Sequence, residues 1–188
     1  MPLEVGVSAG FVIDSPGDDP DDSSSNVDGV VLACRHTSPA GANKITELGW
    51  WQDWAINSPG EYNMGVYADD GDAPGALITP QSSGQITTDS TLAWFKYAGL
   101  DIEITPNTVY WLALGMEVLS FPDNVNRTCL AGNPEATGLK YHWGGTPDGV
   151  LPDPFVSGGS NENISWTIYA KYEAQPFVPQ AYMIMKGM

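Results

Sequence analysis

The residues best equipped for chemistry lie in one short stretch, "GVYADDGDAPGALI", residues 65–78. Asp69, Asp70 and Asp72 offer hard carboxylate oxygens, of which Ca²⁺ gathers roughly six to eight. Their spacing departs from the calcium-loop signature, because Gly71 comes too early and no Glu follows at the matching offset. A Ca²⁺ here would need ligands from another loop. The favoured reading is a tight connection: an Asp caps its own backbone, Gly71 supplies a positive φ, and Pro74-Gly75 makes a second turn.

Aromatic rings come next. Trp50, Trp51 and Trp54 present flat surfaces that suit the apolar faces of sugars. On a strand Trp50 and Trp54 share one face and Trp51 takes the other. Trp51 is then either a glycan platform or a ring packed beneath a long loop. Trp143, in "YHWGGTPDG" beside His142, falls in a loop-rich stretch. Trp51, Trp143 and His142 are therefore the glycan-binding candidates.

Catalysis has less to draw on. Asp101 and Glu103 in "LDIEI" would share a strand face, as a glycosidase pair does, but their alternation with Leu100, Ile102 and Ile104 is that of an ordinary half-exposed strand. His36 and His142 are the only histidines, and neither has metal-ligand or triad spacing. No catalytic residue is assigned and no cofactor is expected beyond the conditional Ca²⁺. A glycan hydrolase is the poorest of the three functional readings.

The elements that must position these residues read as strands. "GEYNMGVYA" places Tyr62, Met64, Val66 and Ala68 on one face, and "VYWLALGMEVL" does the same for Tyr110, Leu112, Leu114, Met116 and Val118. "NISWTIYAKYE" sets Ile164, Trp166, Ile168, Ala170 and Tyr172 opposite Ser165, Thr167, Tyr169 and Lys171. "VVLACRHT" is a buried strand, and "KITELGWWQDWAI" is a longer one with a bend expected at Gly49. "TPNT" is a turn. No segment holds a 3.6-residue period. Some seven to nine short strands between Gly, Pro and Asn turns indicate an all-β, antiparallel sandwich of jelly-roll type in a single domain, residues 1–188.

Two segments stand apart. Residues 14–28, "DSPGDDPDDSSSNVD", read as a mobile acidic loop. Residues 174–188, "AQPFVPQAYMIMKGM", read as an extended arm too apolar to wave in water. Phe177, Tyr182, Met183, Ile184 and Met185 are its assembly candidates, with the N-terminal "PLEVGVS" as a second contact. The connection between Ser120 and Ser160 is too long for a plain loop, and is expected to carry function, a partner contact or a strand near Leu139–Trp143.

Charge narrows the partners. With 23 acids against seven bases the net charge is −16, which repels phosphate backbones and anionic membranes. No nucleic acid and no membrane partner is expected. The start of the chain lacks the positive region of an export signal. On that reading, the sequons at Asn126 and Asn163 are coincidental, and Cys34 and Cys129 are better taken as buried thiols than as a bridge.

Val66-Tyr67, the turn residues Asp70–Gly75, Thr105-Pro106 and the strand Tyr110–Ala113 together carry a resemblance. This pattern, over roughly Ile45–Gly115, resembles the jelly-roll, carbohydrate-binding-module-like domains of phage virion proteins and of secreted bacterial multidomain proteins. The resemblance implies binding or structural roles more often than catalysis. It leads to the expectation of a non-enzymatic virion structural protein, a capsid decoration or a tail or fibre component, that forms homo-oligomers or joins other virion proteins through its termini. The alternative is an extracellular carbohydrate-binding module.

Overall fold

The alternating segments become strands in the computed structural model, which describes residues 3–20, 23–26, 29–53, 60–78, 86–88, 92–118, 128–132, 139–145 and 150–174. In chain order the strands are β1 (Gly10–Val12), β2 (Ser23–Asn26), β3 (Val30–Thr37), β4 (Ala42–Gln52), β5 (Gly60–Asp69), β6 (Pro74–Leu77) and β7 (Ile86–Thr88). They continue with β8 (Ala93–Glu103), β9 (Val109–Val118), β10 (Thr128–Gly132), β11 (Lys140–Gly145), β12 (Gly159–Glu162), β13 (Ser165–Trp166) and β14 (Ile168–Ala174). Two sheets result. The first runs β1-β14-β4-β10-β13, with β8 also on β4 and β2 also on β10. The second runs β12-β11-β3-β9-β5-β6, with β7 also on β5. The long strands β3, β4, β5, β8 and β9 switch sheets at every step, and the pairings are antiparallel except β1 on β14. This is an all-β sandwich of jelly-roll type.

The interior follows from the period of two. Tyr62, Met64 and Val66 of β5 meet Leu112, Leu114 and Met116 of β9 from the same sheet, and face Ile45, Leu48, Trp50, Ile168 and Ala170 of the other. Trp50 is wholly buried, stacked on Phe95 at 5.3 Å and edge-on to Tyr62 at 5.4 Å. Removing such a side chain from water contributes about 2–3 kcal/mol. Cys34 is buried in this interior.

Both outer faces are also covered. Across the second sheet, residues 150–157 form a strap whose Leu151 and Phe155 are buried against Val31, Ala33, Tyr67, Trp111 and Ala113. The Tyr67 hydroxyl donates to the Pro152 carbonyl at 2.7 Å, and the Phe155 amide donates to the Gly75 carbonyl at 3.0 Å. The expected strand near Leu139–Trp143 is β11. The same long connection also holds the strap and, at its end, the start of β12.

Four local expectations change. Pro74-Gly75 is not a second turn: Pro74 opens β6 opposite Asp69. A proline, lacking an amide hydrogen, is tolerated as the first residue of an edge strand. Gly49 marks no bend; it makes room, because a Cβ there would collide with the Tyr169 ring. "LDIEI" is not a strand by itself: it ends β8, which starts at Ala93 and carries a bulge at Gly99, whose φ is +80°. The acidic segment 14–28 reads from sequence as loop throughout, yet Ser23–Asn26 pair with β10 as β2. Backbone pairing asks nothing of side-chain hydropathy, so composition does not reveal it.

Candidate functional site

The acidic hairpin tip is built by the connection from β5 to β6. The Asp70 amide donates to the Ala73 carbonyl at 2.8 Å, and both Gly71 (φ +64°) and Asp72 (φ +76°) adopt the left-handed region. The three carboxylates then diverge. Asp69 Oδ1 accepts the Trp111 indole N–H at 2.8 Å. Asp70 is exposed. Asp72 faces two cations, Arg35 Nε 3.3 Å from Oδ1 and Lys140 Nζ 2.9 Å from Oδ2. The hydrogen bond from Lys140 holds the Asp72 carboxyl below the usual carboxylate range. Among the described residues no three His, Cys, Asp or Glu side chains gather as a metal site.

His142 stands next to this cluster on the outer face of the second sheet. Its ring packs edge-on against Trp111 at 5.1 Å, and its Nδ1 lies 2.7 Å from the Ser157 hydroxyl on the strap. Burial, and then the Lys140 charge, lower its pKa, while the backbone and carboxylate of Asp72 act in the opposite direction. The arrangement ties the hairpin tip, β3, β11 and the strap into one unit. It joins Asp69, Asp72 and His142, which the sequence leaves in two separate candidate sites.

The glycan candidates are not brought together. Trp51 is buried at 7% exposure on the outer face of the first sheet, edge-on to Trp94 at 5.4 Å. Trp143, half-buried, turns to the interior beside Tyr141, its ring lying over Gly159. His142 faces outward on that same strand. The three side chains occupy three different faces of the sandwich.

Sequence reasoning misses a polar group on the outer face of the first sheet. Tyr169, wholly buried, donates its hydroxyl to Glu47 Oε1 at 2.5 Å and packs edge-on to Trp94 at 5.4 Å. Burial first, and Glu47 second, push the Tyr169 pKa up. The beginning of the acidic segment crosses here. Lys96 Nζ donates to the Pro16 carbonyl at 2.6 Å, Trp94 Nε1 donates to the Asp18 carbonyl at 2.9 Å, and Pro16 and Pro20 are buried. No local sequence signal marks this pair; it is set by the register of β4 on β14, where Glu47 sits opposite Lys171 and Gly49 opposite Tyr169.

The other histidine is interior. His36 Nε2 lies 3.3 Å from the Ser165 hydroxyl, and its ring closes on Gly10 of β1. Burial lowers its pKa to about 4. It is a neutral packing group that joins β3 to the first sheet.

Asp101 and Glu103 both point to water, and Asp101 pairs with Lys44 at 2.7 Å. The assembly candidates Phe177, Tyr182, Met183, Ile184 and Met185 lie outside the described residues. No family model, curated protein or solved structure matches this chain.

Proposed function

We propose that this chain is a non-enzymatic structural component of a phage particle surface, assembled through its termini. The observation that carries the reading is where the reactive side chains are spent. Asp69 holds Trp111, Asp72 holds Arg35 and Lys140, His142 meets Ser157, and Glu47 holds Tyr169. Each of these contacts fastens one piece of the sandwich to another. The strap on one outer face and the N-terminal segment on the other add a second layer of fastening. That is the construction expected of a part that must persist, and it leaves the termini and strand edges for contact with neighbours. The strong negative charge suits a soluble, mutually repelling surface. The carbohydrate-binding alternative has less in its favour, since its candidates are spread over three faces.

The test pairs light scattering with a glycan array. The reading expects concentration-dependent self-association and no glycan signal. A monomer at every concentration that binds a defined glycan, with the signal lost in Trp143→Ala, would overturn it.

A further inference from the structure

His36 is buried beneath an element that is itself weakly held. Its ring lies so close under β1 that a Cβ on Gly10 would stand 2.7 Å from Nδ1, and Gly10 takes a positive φ of +71° there. Nε2 lies 3.3 Å from the Ser165 hydroxyl of β13. The elements around the ring bring it no opposite charge. β1 supplies Gly10 and Phe11, and β9 sets Tyr110 opposite. Cys34 is the next residue on the same face of β3, opposite Tyr141 of β11. Arg35 points to the other face, toward Asp72, and Glu4 is exposed. A proton on His36 therefore needs water.

The two walls of this site differ in strength. β3 is paired along its length, with β9 on one side and β11 on the other. β1 has three residues and, among the described residues, one partner, β14. Beyond it, Lys96 Nζ donates to the Pro16 carbonyl and Trp94 Nε1 to the Asp18 carbonyl, while Phe11 meets Tyr110 edge-on at 6.3 Å. Water reaches the ring at least cost by lifting this N-terminal segment and leaving the long strands paired.

We infer that His36 is an acid-sensitive pin for the N-terminal arm, residues 3–20, and that its protonation releases the arm while the sandwich stays folded. With the arm seated, burial lowers the His36 pKa to about 4; with the arm lifted, the hydrated ring returns toward 6.5. The seated form is fully favoured above pH 6.5, loses ground as pH falls toward 4, and changes no further below that. One proton is linked, so the ratio of lifted to seated arms rises about tenfold per pH unit in that window. Release uncovers the edge of β14 and the arm's own Leu3, Phe11 and Val12, all buried when it is seated. The inference concerns how the arm is held and stands without the proposed assembly.

The test is hydrogen exchange of the full chain, read by mass spectrometry between pH 6.5 and 4.5 and corrected for intrinsic rates, with β9 reporting global unfolding. Arm amides are expected to exchange ahead of β9, with protection that falls about tenfold per pH unit in the wild type and stays level in His36→Gln. Gly10→Ala drives a methyl group into the ring and should free the arm at pH 7 with β9 still protected, so it tests the contact even if His36→Gln folds poorly. Three results would overturn the inference. Arm amides that exchange only together with β9 would mean no separate release. The same pH slope in the wild type and His36→Gln would mean that another group holds the arm. An arm as protected in Gly10→Ala as in the wild type would mean that this contact does not seat it.

Discussion

Acidification should destabilise this protein through His36 in a way that one substitution can isolate. The ring is buried between β3 and the first sheet, against Gly10 and 3.3 Å from the Ser165 hydroxyl. Burial lowers its pKa from 6.5 to about 4. The unfolded chain therefore binds a proton at this site before the folded chain does. The stability His36 contributes is fully present above pH 6.5, is lost as pH falls toward about 4, and changes no further below that. A difference of about 2.5 units corresponds to about 3 kcal/mol. The assay is urea unfolding across this pH range for the wild type and His36→Gln. The carboxylates titrate in both proteins, so the difference between the two curves reports His36. The wild type should lose about 3 kcal/mol more than the variant between pH 6.5 and 4. Parallel curves would refute the reasoning, whatever their offset at neutral pH.

Other outcomes follow from the same contacts. Gly49→Ala drives a methyl group into the Tyr169 ring and should cost about 1–3 kcal/mol by chemical denaturation. Tyr169→Phe removes the hydroxyl that donates to buried Glu47 and should cost about 1–3 kcal/mol by chemical denaturation. Phe155→Ala empties the strap's anchor on the second sheet; a loss of about 3 kcal/mol, with earlier proteolysis in residues 150–157, is the expected result. Asp72→Asn removes two solvent-exposed ion pairs and should change stability by less than about 1 kcal/mol in urea, an effect that fades further in salt.

Much of the fold is legible because one face of each long strand is buried in the sandwich. Tyr62, Met64 and Val66, or Leu112, Leu114 and Met116, declare their faces by period alone. The short strands are silent for a physical reason. Ser23–Asn26 and Gly159–Glu162 hold their places by backbone pairing and carry little apolar signal. The strap is hidden similarly, since Leu151 and Phe155 fall in a short run broken by two prolines, Val150–Val156, too short to show a period. The site is legible in its parts and not in its assembly. The Asp69–Asp72 turn can be read from residue types, but its ties to Arg35, Lys140 and Trp111 depend on which strands become neighbours. Glu47 and Tyr169, 122 residues apart, meet only after β4 and β14 pair. Trp51 reads as a platform from sequence because a strand taken alone leaves one face open. The structure instead sets it beside Trp94, on the face that the N-terminal segment crosses.

The central claim is that the chain assembles through its termini while the sandwich stands on its own contacts. Sedimentation equilibrium of the full chain beside a chain ending at Ala174 tests it most directly. The account predicts an oligomer for the full chain, a monomer for the shortened one, and the same melting temperature once both are dilute. Identical masses for the two chains would contradict it.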